Sequence, residues 1–292
     1  MGFERTYNGL FVGLTTLDTI YLASNVPTNN QKIVASDFTI AAGGPATNAA
    51  ATFSYLGNQA TLLAALGTHA IAEVIKSDLA KCQVAIADLA PNNSQVPPVS
   101  SIIVTQSTGE RAVVSLNAVK TQVDSSDIPA DILTNTDIVL IDGHQMAVGQ
   151  AIARLAKSKN IPVVIDGGSW KSGFEHILPF VNYAICSNNF YPPNCNSVTE
   201  VFAFLDRFGI NNIAITRGGD SIQYLENSEI KYTDVPQIKV VDTLGAGDIF
   251  HGAFCYYIMR KSFANALIAS AKVAANSCKF FGTRMWMNQG QL

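Results

Sequence analysis

Apolar positions along this chain follow two patterns that take turns. Short β-branched or apolar runs occur at residues 10–14, 60–66, 138–141, 161–165, 183–186 and 213–216, each of a length suited to a strand buried on both faces. Over 71–81, 146–157 and 198–208 the apolar residues recur instead at helical spacing. That alternation predicts an α/β fold with three layers, α/β/α, around a mostly parallel sheet. Two stretches leave the rhythm. In one, Val34, Phe38 and Ile40 share a parity, with Ser36 among them and a turn at Pro27 and Asn29-Asn30. In the other, two β-branched runs flank Ser107-Thr108-Gly109-Glu110, a good hairpin turn. These excursions predict a small separate sheet from 20–40 and 98–117, set on a core made of 1–19, 41–97 and 118–292.

Composition narrows the class. A chain of 292 residues buries a large core with room for an appendage. Only 14% of residues are charged and the net charge is −3, which excludes a disordered chain and gives no electrostatic footprint for nucleic acid. The five cysteines, Cys82, Cys186, Cys195, Cys255 and Cys278, are scattered without metal-site spacing, as expected of reduced thiols in a cytosolic enzyme. The first eight residues lack a signal-peptide core, and no apolar run reaches the roughly 20 residues of a membrane span. A soluble, cytoplasmic protein is expected.

The most informative stretch lies late in the chain. Residues 238–241 are a β-branched run, Gly245-Ala246-Gly247 a tight turn, and Ile249, Phe250, Ala253, Phe254 and Tyr257 recur at helical spacing; the segment reads as strand, loop, helix. Amides of Gly245, Ala246 and Gly247 at a helix start make an anion cradle, with the Asp248 carboxylate beside it. Taken alone, Asp248 also reads as a helix-stabilising acid contributing about 0.3–1 kcal/mol. No Gly-x-x-x-x-Gly-Lys-Ser/Thr phosphate loop is present, so phosphate binding rests on this cradle.

The string Asp242-Thr243-Leu244-Gly245-Ala246-Gly247-Asp248, with Phe250 and Gly252 after it, resembles the C-terminal signature of the ribokinase-like (PfkB) family of small-molecule kinases. Gly43-Gly44, with Asn48 four residues after the second glycine, resembles the family's other signature. A strand ending near Gly13 with Asp18 five residues on is similar to its first motif, and Thr216-Arg217-Gly218 is similar to its Thr-x-Gly. The likeness runs from Val12 to Gly282. It implies that Asp248 is the catalytic base and that Gly245, Ala246 and Gly247 form the anion hole. Asp18, Gly43, Gly44, Asn48 and Asp142 would then bind substrate, and Thr216, Gly218 and Asn188 the nucleotide. The small sheet would be a lid over a sugar, with ATP and Mg2+ as the phosphoryl donor and possible use of K+, for which Asp242 is a candidate ligand. Asp166 reads equally as a cap or as a residue holding Mg2+ through water, and His144 as a surface or core-edge histidine. Met285, Trp286 and Met287 read as a packed tail.

One departure stands out. Where many members carry Asn-x-x-Glu, the Glu acting on magnesium-bound water, this chain has Ser187-Asn188-Asn189-Phe190. That irregularity, and the Val-Val-Asp-Thr-Leu-Gly-Ala-Gly-Asp string, resemble ketohexokinase-like branches. A nucleoside kinase of the same fold is the alternative, with Lys32, Arg111 and Asn117 facing either ligand or solvent; a sugar-binding sensor without turnover is a third reading. Lid edges left open predict a homodimer through the lid.

Overall fold

Phe11 packs into one hydrophobic layer and Leu10 and Val12 into another, so strand β1 (Asn8–Val12) is buried on both sides, as a continuous apolar run requires. The structure, a computed structural model, describes residues 5–116 and 122–289; Asn117 lies outside them. The remaining described strands are β2 (Thr16–Ala23), β3 (Asp37–Gly43), β4 (Gln59–Ala64), β5 (Val84–Asp88), β6 (Val99–Thr105), β7 (Arg111–Ser115), β8 (Ile138–Ile141), β9 (Val163–Gly167), β10 (Tyr183–Ser187), β11 (Asn212–Arg217), β12 (Asp220–Glu226) and β13 (Glu229–Thr233). The helices are α1 (Pro45–Tyr55), α2 (Ala70–Lys81), α3 (Met146–Ser158), α4 (Phe174–Ile177), α5 (Val198–Asp206), α6 (Ala246–Ile258) and α7 (Phe263–Ser277).

The large sheet runs β13-β12-β11-β10-β9-β8-β1-β4-β5. It is parallel from β11 to β5 and antiparallel only at β12 and β13. Buried residues of α1, α2, α6 and α7 belong to one layer and those of α3, α4 and α5 to the other, the three-layer arrangement expected. From β1 the chain lays β4 and β5 on one side and β8 to β11 on the other. Such a reversal opens a crevice at the carboxyl ends of the strands, where open α/β sheets bind ligands.

The second sheet, β3-β2-β6-β7, stands over that end. Its central pair is parallel, Leu17 to Ala23 against Val99 to Thr105, so two chain excursions are knitted together by backbone hydrogen bonds. Ile20, Ile102 and Val104 on its inner face pack on Phe281, Val241 and Leu244. The strands begin earlier than the sequence pattern indicates: β2 starts at Thr16, which puts Asp18 within the small sheet rather than on a loop after β1.

Two further differences have physical causes. Residues 238–241 form no strand; the Val241 and Asp242 amides donate to the Cys278 carbonyl at the end of α7, at 2.8 and 3.2 Å, so a helix terminus satisfies the β-branched run. Strands β5, β12 and β13 have no counterpart in the sequence reading. Two of the five residues of β5 are alanine, and β12 and β13 form an edge hairpin turning at Asn227 and Ser228, both at positive φ.

Candidate active site

Helix α6 starts from Gly245, whose φ of 71° is left-handed. A Cβ there would lie 2.9 Å from Thr283 Cγ2, so conformation and space both require glycine. The first-turn amides that follow lack intrahelical acceptors, and Asp248 stands among them. Its Oδ2 accepts a hydrogen bond from Asn48 Nδ2 at 2.7 Å, across 200 residues of sequence. The meeting depends on how closely α1 and α6 cross. Gly252, one turn beyond Asp248, lies against the Ala49 carbonyl, where any side chain would collide. Ala46, Ala49 and Ala50 keep α1 equally slim. Asp248 is half-buried as a residue, while protein surrounds its carboxyl. Burial, then the charge of Asp166, push its pKa up to about 7, against the opposing Asn48 hydrogen bond and the charge of His251. A carboxylate poised near neutrality suits a general base.

On the substrate side, Asp18 Oδ1 accepts from Thr16 Oγ1 at 2.6 Å. Burial raises its pKa, while hydrogen bonds from Thr16 and Ser100 and the charge of Arg284 oppose the rise. Gly43 leaves the room its carboxylate occupies, for a Cβ there would overlap Asp18 Oδ2. Gly44, at φ 100°, caps α1. Asn48 stands between these groups and Asp248, with both ends of its amide in use: Oδ1 accepts from Arg284 Nη1 at 2.8 Å. Asp142, expected at the sugar, is 1% exposed. Its Oδ2 accepts the amides of Leu14 (2.8 Å) and Ala46 (3.2 Å) and its Oδ1 that of His144 (2.8 Å). The carboxylate therefore ties together the end of β1, the start of α1 and the end of β8.

Asp166, at the end of β9, is buried beside the base, with Oδ2 3.4 Å from His251 Nδ1. His251 is buried on α6, its ring nitrogens 2.7 Å from the Gly247 carbonyl and 3.0 Å from that of Ile185. It thus links the cradle to β9 and β10. Among the described residues no cluster of three or more His, Cys, Asp or Glu is arranged to hold a metal ion. Asp242 has each oxygen on a backbone amide, Oδ1 on Leu244 and Oδ2 on Gly282, both at 2.8 Å. Burial pushes its pKa up as well. Phe190 points away from the cleft: at 1% exposure it packs on Trp170 and Phe174, ring centroids 5.5 and 5.7 Å apart.

Thr216, Gly218 and Asn188 line a cleft of about 610 Å³ that also includes Ala246 and Gly247 of the cradle. Ile222, Val235, Ala271 and Ala275 give it an apolar floor, and Arg111 reaches it from β7, donating to Thr243 Oγ1 at 3.2 Å. A groove of about 720 Å³ lies elsewhere, lined by Ile128, Pro129, Ala151, Leu155 and others and by none of the site residues. Two residues here went unread in the sequence. His251 sits inside the signature string, but its partners are main-chain carbonyls; Arg284 lies in the tail, and no local spacing ties it to Asn48.

A carboxylate beside a cradle of helix-start amides, opening on a cleft at the strand ends of an α/β sheet, marks a phosphotransferase with an alcohol group as acceptor. The chain belongs to the pfkB family of carbohydrate kinases, whose model matches residues 9–288. It is 24% identical over 284 residues to a ribokinase of Lactococcus lactis, covering 94% of this chain and 91% of that one. Over 289 residues it is 22% identical to mouse ketohexokinase, with 94% and 96% coverage. A solved structure of Arabidopsis thaliana ribokinase complexed with ribose and ATP superposes with a TM-score of 0.75 at 20% identity, covering 96% of this chain and 94% of that one.

Proposed function

We propose that the protein transfers the γ-phosphoryl group of ATP to a hydroxyl of a sugar, with Asp248 as base. The observation that carries this reading is the placement of the Asp248 carboxylate, held by Asn48 Nδ2 at 2.7 Å, in the first turn of the helix whose start forms the cradle. In this mechanism the hydroxyl proton passes to the Asp248 carboxylate as the oxygen bonds to the γ-phosphorus. The bond from that phosphorus to the β–γ bridging oxygen breaks, and ADP leaves. Amides of Gly245, Ala246 and Gly247 donate to the charge on the transferring group. Asp18, with Gly43 and Gly44 shaping its surroundings, orders the sugar hydroxyls, and the small sheet keeps water from the phosphoryl group. Asn188, Thr216 and Gly218 take the nucleotide. Mg2+, when bound on the phosphates, neutralises their charge; Asp166, a buried carboxylate beside His251, would hold it.

The test is ADP formation from Mg-ATP with ketoses, aldoses, their phosphates and nucleosides, run beside Asp248→Asn. We expect a sugar-dependent rate whose acidic limb lies near pH 7, reduced roughly 10²–10⁴-fold in the variant. An Asp248→Asn enzyme that kept most of its rate would overturn the assignment of the base. Silence across the panel, with a sugar still raising the melting temperature, would favour a binding protein without turnover.

A further inference from the structure

The segment after α7 reaches the active site from behind. Gly282 donates its amide to Asp242 Oδ2 at 2.8 Å, Thr283 fills the space against Gly245, and Arg284 reaches Asn48. Arg284 is held in turn: Nη2 donates to the Ala42 carbonyl at 2.7 Å, and Nε lies 3.5 Å from Asp78 Oδ2. That same Asp78 oxygen accepts the Ala42 amide at 3.0 Å. The guanidinium is thus wedged between the end of β3, helix α1 and helix α2.

A guanidinium only donates hydrogen bonds, and so does the NH2 end of an amide. With Arg284 Nη1 on Asn48 Oδ1 at 2.8 Å, the NH2 end must turn the other way, and it meets Asp248 Oδ2 at 2.7 Å. Turned by 180°, the amide would set its oxygen against the carboxylate, two acceptors opposed, and it would lose the bond from Arg284 as well. We propose that Arg284 is a positioning residue for phosphoryl transfer, acting through the Asn48 amide to keep a donor on the ionised form of Asp248 and to aim that carboxylate. The inference rests on the reading of Asp248 as the base. It also accounts for the double use of Asn48, whose amide keeps one N–H and one oxygen lone pair beyond these two bonds.

Three other groups act on the Asp248 carboxyl: Asp166 from β9, Asp18 from β2, and His251 on α6 itself. Arg284 also acts on Asp18 through its charge, so a variant that keeps the charge is needed. Arg284→Lys is that variant, because an ammonium cannot fork between Asn48 Oδ1 and the Ala42 carbonyl as a guanidinium does.

The experiment has two readouts. Carbon-13 NMR titration of the Asp248 carboxyl requires no substrate, and steady-state kinetics follow with the sugar found in the panel. In Arg284→Lys and Arg284→Ala the Asp248 midpoint should move up by about one pH unit, the worth of a hydrogen bond to the charged form. At pH 7 kcat should fall about tenfold or more, with KM for ATP within about twofold, since the nucleotide cleft is untouched. Asn48→Ala should reproduce the upward shift, and adding Arg284→Lys to it should produce no further shift. An unmoved midpoint in both arginine variants, or shifts that add to that of Asn48→Ala, would overturn the proposal. So would a fall in kcat matched by the loss of melting temperature alone. A wild-type enzyme with no kinase activity whose midpoint still responds to Arg284 would instead sink the base assignment, so the two failures are distinguishable.

Discussion

Asp248 carries a cost that depends on pH. Its folded-state pKa, about 7, lies above the usual 3.8, so the native chain binds this proton more tightly than the unfolded one. The stabilisation from that proton is complete below about 3.8 and is lost as pH rises through about 7. Asp18 and Asp242 are shifted in the same direction by burial. Asp248→Asn, neutral at every pH, should therefore melt at increasingly higher temperature than the wild type between pH 5 and pH 8; thermal melts at a series of pH values measure the gap, and a gap that stayed constant would contradict the buried-charge account. The place of Asp248 at a helix start beside glycines was legible because those features lie within seven positions, whereas its contact with Asn48, 200 residues away, was not. Asp142 was not readable in the same way. Its sequence position at a strand end says that it stands near the crevice, but only the fold reveals that three backbone amides from three segments converge on it.

At the scale of elements, the crossing of α1 and α6 decides whether the site exists. Gly252 and the alanines of α1 bring two helix axes close enough for Asn48 to touch Asp248. Gly252→Ala pushes a methyl into the Ala49 carbonyl and should cost about 1–3 kcal/mol by overpacking. Activity should fall further than stability, because the helices separate where Asn48 and Asp248 meet; denaturant unfolding with parallel kinetics measures both. Parallel strands β1, β4, β8, β9, β10 and β11 could be read from their unbroken apolar runs. Harder to read was the segment before the cradle, where β-branched residues usually signal a strand. Its amides go to the end of α7 instead, a partner that only tertiary structure provides.

For the whole molecule, the outward face of the small sheet is the conspicuous surface. Tyr21 and Phe38 pack there with their rings tilted and centroids 4.8 Å apart, on the same face as Ile40 and Val114, which is 78% exposed. Apolar side chains so placed, on a sheet whose β3 and β7 edges are open, support the homodimer read from the sequence. Phe38→Asp together with Val114→Lys should shift the protein to monomer in sedimentation velocity at micromolar concentration. A wild type already monomeric there would remove the proposal. The three-layer core and its second sheet were legible from the change of hydrophobic period. The extent of the second sheet was not, since only two residues, Leu14 and Thr15, separate the turn after β1 at Gly13 from the start of β2.

Thr243, in the middle of the cradle loop, donates its hydroxyl to the Gly109 carbonyl at the tip of the β6–β7 hairpin, at 3.2 Å. A movement of that tip is therefore felt where the phosphates would rest, and a change of the loop is felt by the sheet above the sugar. Thermodynamic linkage makes such a connection symmetrical: whatever factor the sugar adds to the affinity for nucleotide, the nucleotide adds to the affinity for sugar. A factor above one would favour the ternary complex over either binary one.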